Sequence, residues 1–81
     1  MSAPALPPKL PRWEVLSAAQ LDLDNGPDES WYTVCRHGSL IGHRRKADAT
    51  SYRAYLWASR RAGDAEAVAE LCDSCALEVP G

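Results

Sequence analysis

The sequence contains no phenylalanine and only one methionine, so its apolar core has to be built from other side chains. The large candidates are three tryptophans, three tyrosines and a modest set of leucine, valine and isoleucine residues. In a chain of 81 residues, the free energy gained by apolar burial roughly cancels against the conformational entropy lost on folding. We therefore expect a single domain that needs an additional cross-link.

Long apolar runs are also missing: none reaches about 18 residues, which excludes a membrane-spanning helix. Residues 1–8 lack the basic start and the apolar centre of a secretory signal. We therefore expect a cytoplasmic protein with reduced thiols and no membrane partner. The cysteine count of three is odd, which disfavours a disulfide framework and makes metal ligation the preferred interpretation.

Signs of catalysis are scarce as well. The sequence has no glycine-rich phosphate loop, and neither an oxyanion loop nor an acid is evident along the sequence for the Cys35–His37 pair. Cys72-x-x-Cys75 follows a predicted helix and stands beside carboxylates, whereas redox motifs of this kind usually open a helix that stabilises the thiolate. We therefore expect no enzyme and no small-molecule substrate.

The net charge of −2 conceals a strong asymmetry along the chain. Residues 31–61 carry seven basic residues against one acidic residue, a net charge of +6. The flanking segments, 1–30 and 62–81, carry net charges of −3 and −5. Either the acidic ends neutralise the basic middle within one fold, or the middle forms a basic surface for an anionic partner.

Secondary-structure signals divide the chain into short elements. Four of the six prolines fall in residues 4–11, which predicts a flexible proline-rich arm over residues 1–11. Apolar residues at helical spacing predict a short helix over residues 12–23. Aromatic and β-branched residues predict a strand over 31–35 that returns over 40–44, with Gly38 in the turn.

Two further helices are expected. Asp48 or Thr50 can cap the first, over residues 51–61, and Asp64 can cap a second helical run over 65–71 that ends around Cys72. The predicted fold class is therefore α+β: a small domain over residues 12–81, with one β-hairpin and two to three short helices.

The strongest chemical signal is Cys72-x-x-Cys75, whose spacing lets two thiolates converge on one metal ion. The hairpin supplies Cys35 together with His37 or His43. A hairpin centred between Gly38 and Ser39 would place Cys35 opposite Gly42, so that His43 is also within reach. We favour Cys35, His37, Cys72 and Cys75, a closed set typical of one structural Zn²⁺. The alternative is that the cysteines are simply small buried side chains.

The pattern Val34-Cys35-Arg36-His37-Gly38, followed by His43, a helical spacer and Cys72-Asp73-Ser74-Cys75, resembles small treble-clef or zinc-ribbon-like modules. Short proteins of high-GC bacteria and their phages carry a similar pattern. The resemblance covers residues 31–75 and implies zinc held in a knuckle-plus-helix fold at those four ligand positions. The one-residue gap between Cys35 and His37 is tighter than usual in such modules, and the spacer is longer.

The sequence is compatible with two alternative binding functions. The first is nucleic-acid binding, in which basic residues neutralise phosphates while Trp57 stacks on an unpaired base. The second is a protein–protein adaptor or inhibitor that uses the same face. In a third interpretation, Trp57 packs internally under arginine stems. The candidate partner-binding residues are Arg44, Arg45, Lys46, Arg53, Trp57, Arg60 and Arg61.

Overall fold

The computed structural model describes residues 12–23 and 29–80. Three strands come first in this part of the chain: β1 (Trp13–Ser17), β2 (Trp31–Cys35) and β3 (Leu40–His43). Three helices follow: α1 (Lys46–Arg61), α2 (Ala65–Ala69) and α3 (Asp73–Leu77). The strands form one antiparallel sheet in the order β1-β2-β3, which confirms the predicted α+β class. The predicted arm over residues 1–11 lies outside the described residues.

The helix predicted over residues 12–23 is wrong, because its first part is strand β1. Trp13 pairs with Cys35 of β2, and the Trp13 side chain is fully buried. Only a single turn forms after β1. There the Ser17 amide donates to the Gln20 side chain, and the Gln20 amide donates to the Ser17 hydroxyl. A short isolated helix is marginal in water, whereas strand pairing buries the tryptophan.

The β2–β3 hairpin forms where it was predicted, but its register is different. The Cys35 amide donates to the Ser39 carbonyl at 2.9 Å, and the Gly38 amide donates to the Cys35 carbonyl at 3.0 Å. Residues 36–38 thus form a three-residue loop, and its last position has the positive φ of 96° expected for Gly38. As a result Cys35 does not face Gly42, and His43 lies opposite Trp31 at the open end of the hairpin.

Helix α1 packs across one face of the sheet. Leu56 is fully buried against a core that includes Trp13, Val68 and Leu71. The Thr33 hydroxyl of β2 donates to the Ala49 carbonyl of α1 at 3.0 Å, which fastens the sheet to the helix inside this core. This packing fixes the sheet, and with it the β2–β3 loop, relative to the helices.

The helix ends differ from expectation in two places. Helix α1 begins at Lys46 with Arg45 as its N-cap, rather than at a cap formed by Asp48 or Thr50. Asp64 caps α2 as predicted, its carboxylate accepting a hydrogen bond from the Ala67 amide. No helix in the described ranges is long and apolar enough to cross a membrane.

The position predicted for the Cys72-x-x-Cys75 motif at the end of a helix is wrong. Helix α2 ends at Ala69, and Cys72 is the extended N-cap of a separate helix, α3, with φ −161° and ψ 122°. Cys75 lies in the first turn of α3, so the two thiols stand on one side of that turn. Cys72 therefore stands at the start of a helix, and the sequence-based expectation that the motif follows a helix does not hold.

Candidate metal centre

Cys35, His37, Cys72 and Cys75 come together where the β2–β3 loop meets the start of α3. Their ligand atoms, three sulfurs and one imidazole nitrogen, all lie within 4.8 Å of one another. All three cysteines are free, buried thiols. Two segments separated by 34 residues thus supply four donors that could bind one metal ion.

Distances inside this Cys/His cluster suit a tetrahedral ion. The Nδ1 atom of His37 lies 3.3 Å from the sulfur of Cys75 and 3.7 Å from the sulfur of Cys72. Bonds of about 2.3 Å to sulfur and about 2.0 Å to nitrogen, set at tetrahedral angles, place such donors about 3.5 Å apart. These two nitrogen–sulfur separations bracket that value, so the placement of His37, Cys72 and Cys75 fits a metal ion of this size.

The tight loop of residues 36–38 explains how a one-residue gap still presents two ligands. The backbone amide of His37 turns back and donates to the sulfur of Cys35 at 3.3 Å. The positive φ of Gly38 closes the loop directly behind His37. The loop thereby directs a backbone donor at the sulfur of Cys35 while the imidazole reaches across to the thiols of α3.

Cys72 and Cys75 differ strongly in the pKa values of their thiols. Burial by itself raises the pKa of Cys72, but hydrogen bonds from the Cys75 amide, the Ser39 hydroxyl and Cys35 lower that pKa to about 6. Burial, together with the neighbouring Cys35 and Cys72, raises the pKa of Cys75 to about 12. A buried group of three thiols therefore resists full ionisation, and a cation among them would supply the missing countercharge.

A carboxylate backs the cluster on its outer side. Glu78, just beyond the end of α3, places Oε2 3.3 Å from Nε2 of His37. Its other oxygen accepts hydrogen bonds from Arg36, at 2.8 Å, and from Arg12. The Arg36 hydrogen bond, assisted by the charges of both arginines, holds the pKa of Glu78 below its usual value.

His43, the alternative ligand, lies away from the thiols. Its Nε2 is 3.1 Å from the Thr33 hydroxyl oxygen, and its ring centre is 5.4 Å from that of Tyr52. Burial lowers the pKa of His43, and the nearby Asp48 only partly opposes this. The observed hairpin register thus separates the two histidines, and His37 is the one that joins the cysteines.

The residues predicted to bind a partner divide into two groups. Arg53, Trp57 and Arg60 are half-buried, and the others are exposed: Arg44, Arg45, Lys46 and Arg61. The structure does not gather these residues at one point, because they are spread over the length of α1 and the segment before it.

Trp57 is engaged inside the molecule. Its ring meets Trp13 edge-on at 5.1 Å between centroids, and the Arg60 guanidinium lies 6.0 Å from its ring centre. These contacts agree with the third interpretation given above, in which Trp57 packs internally beneath an arginine. At the other end of α1, the Lys46 ammonium lies 5.3 Å from the ring centre of Trp31.

Sequence reasoning missed the residues that surround the four candidate ligands. The sequence predicts Ser39 only as a turn residue and Arg12 only as part of a helix. Glu78 did carry a usable signal, since Cys72, Cys75 and Glu78 recur every third residue and so share one side of a helical segment. That spacing would have joined the carboxylate to the ligand pair.

Comparison of the chain with protein-family models, with curated proteins and with solved structures finds no match. The resemblance drawn from the sequence is therefore supported at the level of a Cys/His metal-binding cluster, and no particular family is assigned.

Proposed function

We propose that this protein is a small non-enzymatic module that binds one structural Zn²⁺ through Cys35, His37, Cys72 and Cys75. The convergence of three sulfurs and one imidazole nitrogen within 4.8 Å carries the proposal. A closed set of four protein ligands is typical of structural zinc, whereas catalytic zinc keeps a position open for water or substrate. Thiolate ligands with imidazole also suit Zn²⁺ better than Mg²⁺ or Ca²⁺.

The ion would tie the β2–β3 loop to the start of α3. Apparent free energies of zinc binding reach about 10–16 kcal/mol in small domains, which equals or exceeds the usual stability of a folded chain. Elemental analysis of the purified protein tests this directly: we expect one zinc per chain, and a chain that is folded without any bound metal would overturn the proposal.

The partner we favour is nucleic acid. Three consecutive exposed basic residues, Arg44, Arg45 and Lys46, lie where β3 leads into α1 and can contact phosphates. Trp57 is left out of this proposal because it already packs on Trp13. We therefore expect contacts to the phosphate backbone rather than stacking on bases, and a binding constant that falls steeply as salt rises.

Fluorescence anisotropy with labelled single-stranded and double-stranded DNA and RNA, over a series of salt concentrations, tests the partner. Replacing Arg44, Arg45 and Lys46 together by Gln should weaken binding at least about tenfold and flatten the salt dependence. Arg61→Gln, which removes one positive charge at the opposite end of α1, is the control for loss of a single basic residue away from this segment. Absence of binding by the zinc-loaded wild type at low salt would overturn the nucleic-acid proposal.

A protein partner is the second candidate, favoured by exposed apolar side chains. Leu77 in α3 is 87% exposed and Tyr55 in α1 is 45% exposed. An adaptor or inhibitor that docks through such residues would bind with little dependence on salt, unlike a complex held by phosphate contacts. Leu77→Ser should abolish that binding while leaving any nucleic-acid affinity unchanged.

A further inference from the structure

The Glu78 carboxylate joins three separate segments at the cluster. Its Oε2 faces Nε2 of His37, while its Oε1 accepts from Arg36 in the hairpin loop and from Arg12 beside the start of β1. Both flanking arginines thus hold the carboxylate in place. Two cations fix the carboxylate, and its second oxygen faces the candidate ligand His37, so the contacts of Glu78 go beyond those of a surface ion pair.

We propose that Glu78 is a positioning residue that selects Nδ1 of His37 as the metal-binding atom; the inference rests on the zinc centre proposed above. A neutral imidazole carries one N–H, and a carboxylate can only accept a hydrogen bond. The proton therefore resides on Nε2, where it points to Glu78, and the Nδ1 lone pair is directed at the sulfurs of Cys72 and Cys75.

The His37 imidazole needs the carboxylate because the loop by itself does little to fix the orientation of the ring. The His37 side chain is 28% exposed and extends from a three-residue loop, so no packed core surrounds the ring. Free rotation of the ring would exchange the two nitrogens at the metal position. The hydrogen bond to Glu78 fixes both the orientation of the ring and its tautomer, which lowers the entropy lost on metal binding.

Removal of the carboxylate tests the inference. In Glu78→Ala, zinc affinity measured by competition with a chromophoric chelator should fall about 10–100-fold. The ¹⁵N signals of the His37 ring in the zinc-loaded protein should also change, because its Nε2–H loses its acceptor. Glu66→Ala, on the exposed side of α2, is the matched control and should retain both wild-type properties.

Glu78→Asp keeps the charge but draws the carboxylate back by one methylene, and it decides the question if Glu78→Ala fails to fold. We expect a smaller loss of zinc affinity and altered His37 ring signals. Wild-type affinity and ring signals in the folded variants would overturn the positioning role while leaving the zinc centre intact. Absence of zinc binding by the wild-type protein would overturn the centre itself, and this inference with it.

Discussion

His37 and His43 lie at opposite ends of the same hairpin, in surroundings of different kinds. His37, in the loop, faces the thiols of α3 through Nδ1 and Glu78 through Nε2. His43, at the open end, lies beside the Thr33 hydroxyl and the ring of Tyr52. The two ends of the sheet are therefore held by different means: a Cys/His cluster at one, and ordinary packing and hydrogen bonding at the other.

This difference shows that residue type alone does not assign a histidine to a metal. The loop end brings three buried sulfurs within reach of one imidazole, and the open end brings none. At the open end, Thr33 instead links His43 to the Ala49 carbonyl of α1, so a buried polar chain connects sheet and helix. Variants at the two ends should therefore change different properties: zinc affinity at the loop end, and the free energy of unfolding at the open end.

The largest effect is expected from Cys75→Ser, which removes the most buried thiol of the cluster. A hydroxyl is a poor zinc ligand, so we expect zinc affinity to fall by more than about 100-fold, because loss of a direct ligand exceeds the loss of a supporting residue. Circular dichroism should show an unfolded chain at zinc concentrations that fold the wild type. Ser74→Ala, at the exposed neighbouring position, is the control and should fold normally.

A smaller and contrasting pair of effects is expected from the two histidines. His37→Ala should weaken zinc binding, since it leaves only three protein ligands. His43→Ala should keep the zinc stoichiometry and lower the free energy of unfolding of the zinc-loaded protein by about 1–2 kcal/mol, through loss of its hydrogen bond with Thr33. Loss of zinc in His43→Ala with retention in His37→Ala would reverse the assignment of the two ends.

The smallest effect concerns pH at the open end. Burial lowers the pKa of folded His43, so the unfolded chain takes up a proton more readily as the pH falls below about 7. Wild-type stability should therefore decrease towards acid pH more steeply than that of His43→Gln, whose side chain does not titrate. Protonation of the candidate cysteine ligands would affect both proteins equally, so the difference between them isolates His43.

Chemical unfolding at saturating zinc, repeated between about pH 7.5 and about pH 6, measures this difference. A difference in the free energy of unfolding that stays constant over that range would contradict the account of the open end. The same series measures the common acid sensitivity of the cluster, since zinc must compete with protons for its ligands.

The sequence predicted the hairpin and the joining of its loop to Cys72 and Cys75, but it did not predict the hairpin register. The aromatic and β-branched run over β2 identifies a strand, and Gly38 identifies the turn. The loop length depends on which carbonyl the Cys35 amide meets, and both a two-residue and a three-residue loop can place a glycine at positive φ. The predicted proximity of His43 to Cys35 assumed the two-residue loop.

The two misread helical regions have a common cause. Strand β1 carries a local helix signal from Ser17 and Gln20, which is overridden because Trp13 gains burial by pairing with β2. Helix α3 begins after an extended Cys72, with no glycine or proline to mark the break. In both places long-range packing determined the local structure, and spacing along one segment could not reveal it.

Titration of the chelator-treated protein with Co²⁺ tests the central claim most directly, because tetrahedral thiolate coordination gives cobalt strong visible bands and a sulfur-to-metal absorption. We predict saturation at one Co²⁺ per chain, a tetrahedral three-sulfur, one-nitrogen spectrum, and recovery of helical circular dichroism over the same titration. A folded chain that takes up no cobalt, or an octahedral spectrum without thiolate absorption, would contradict the account.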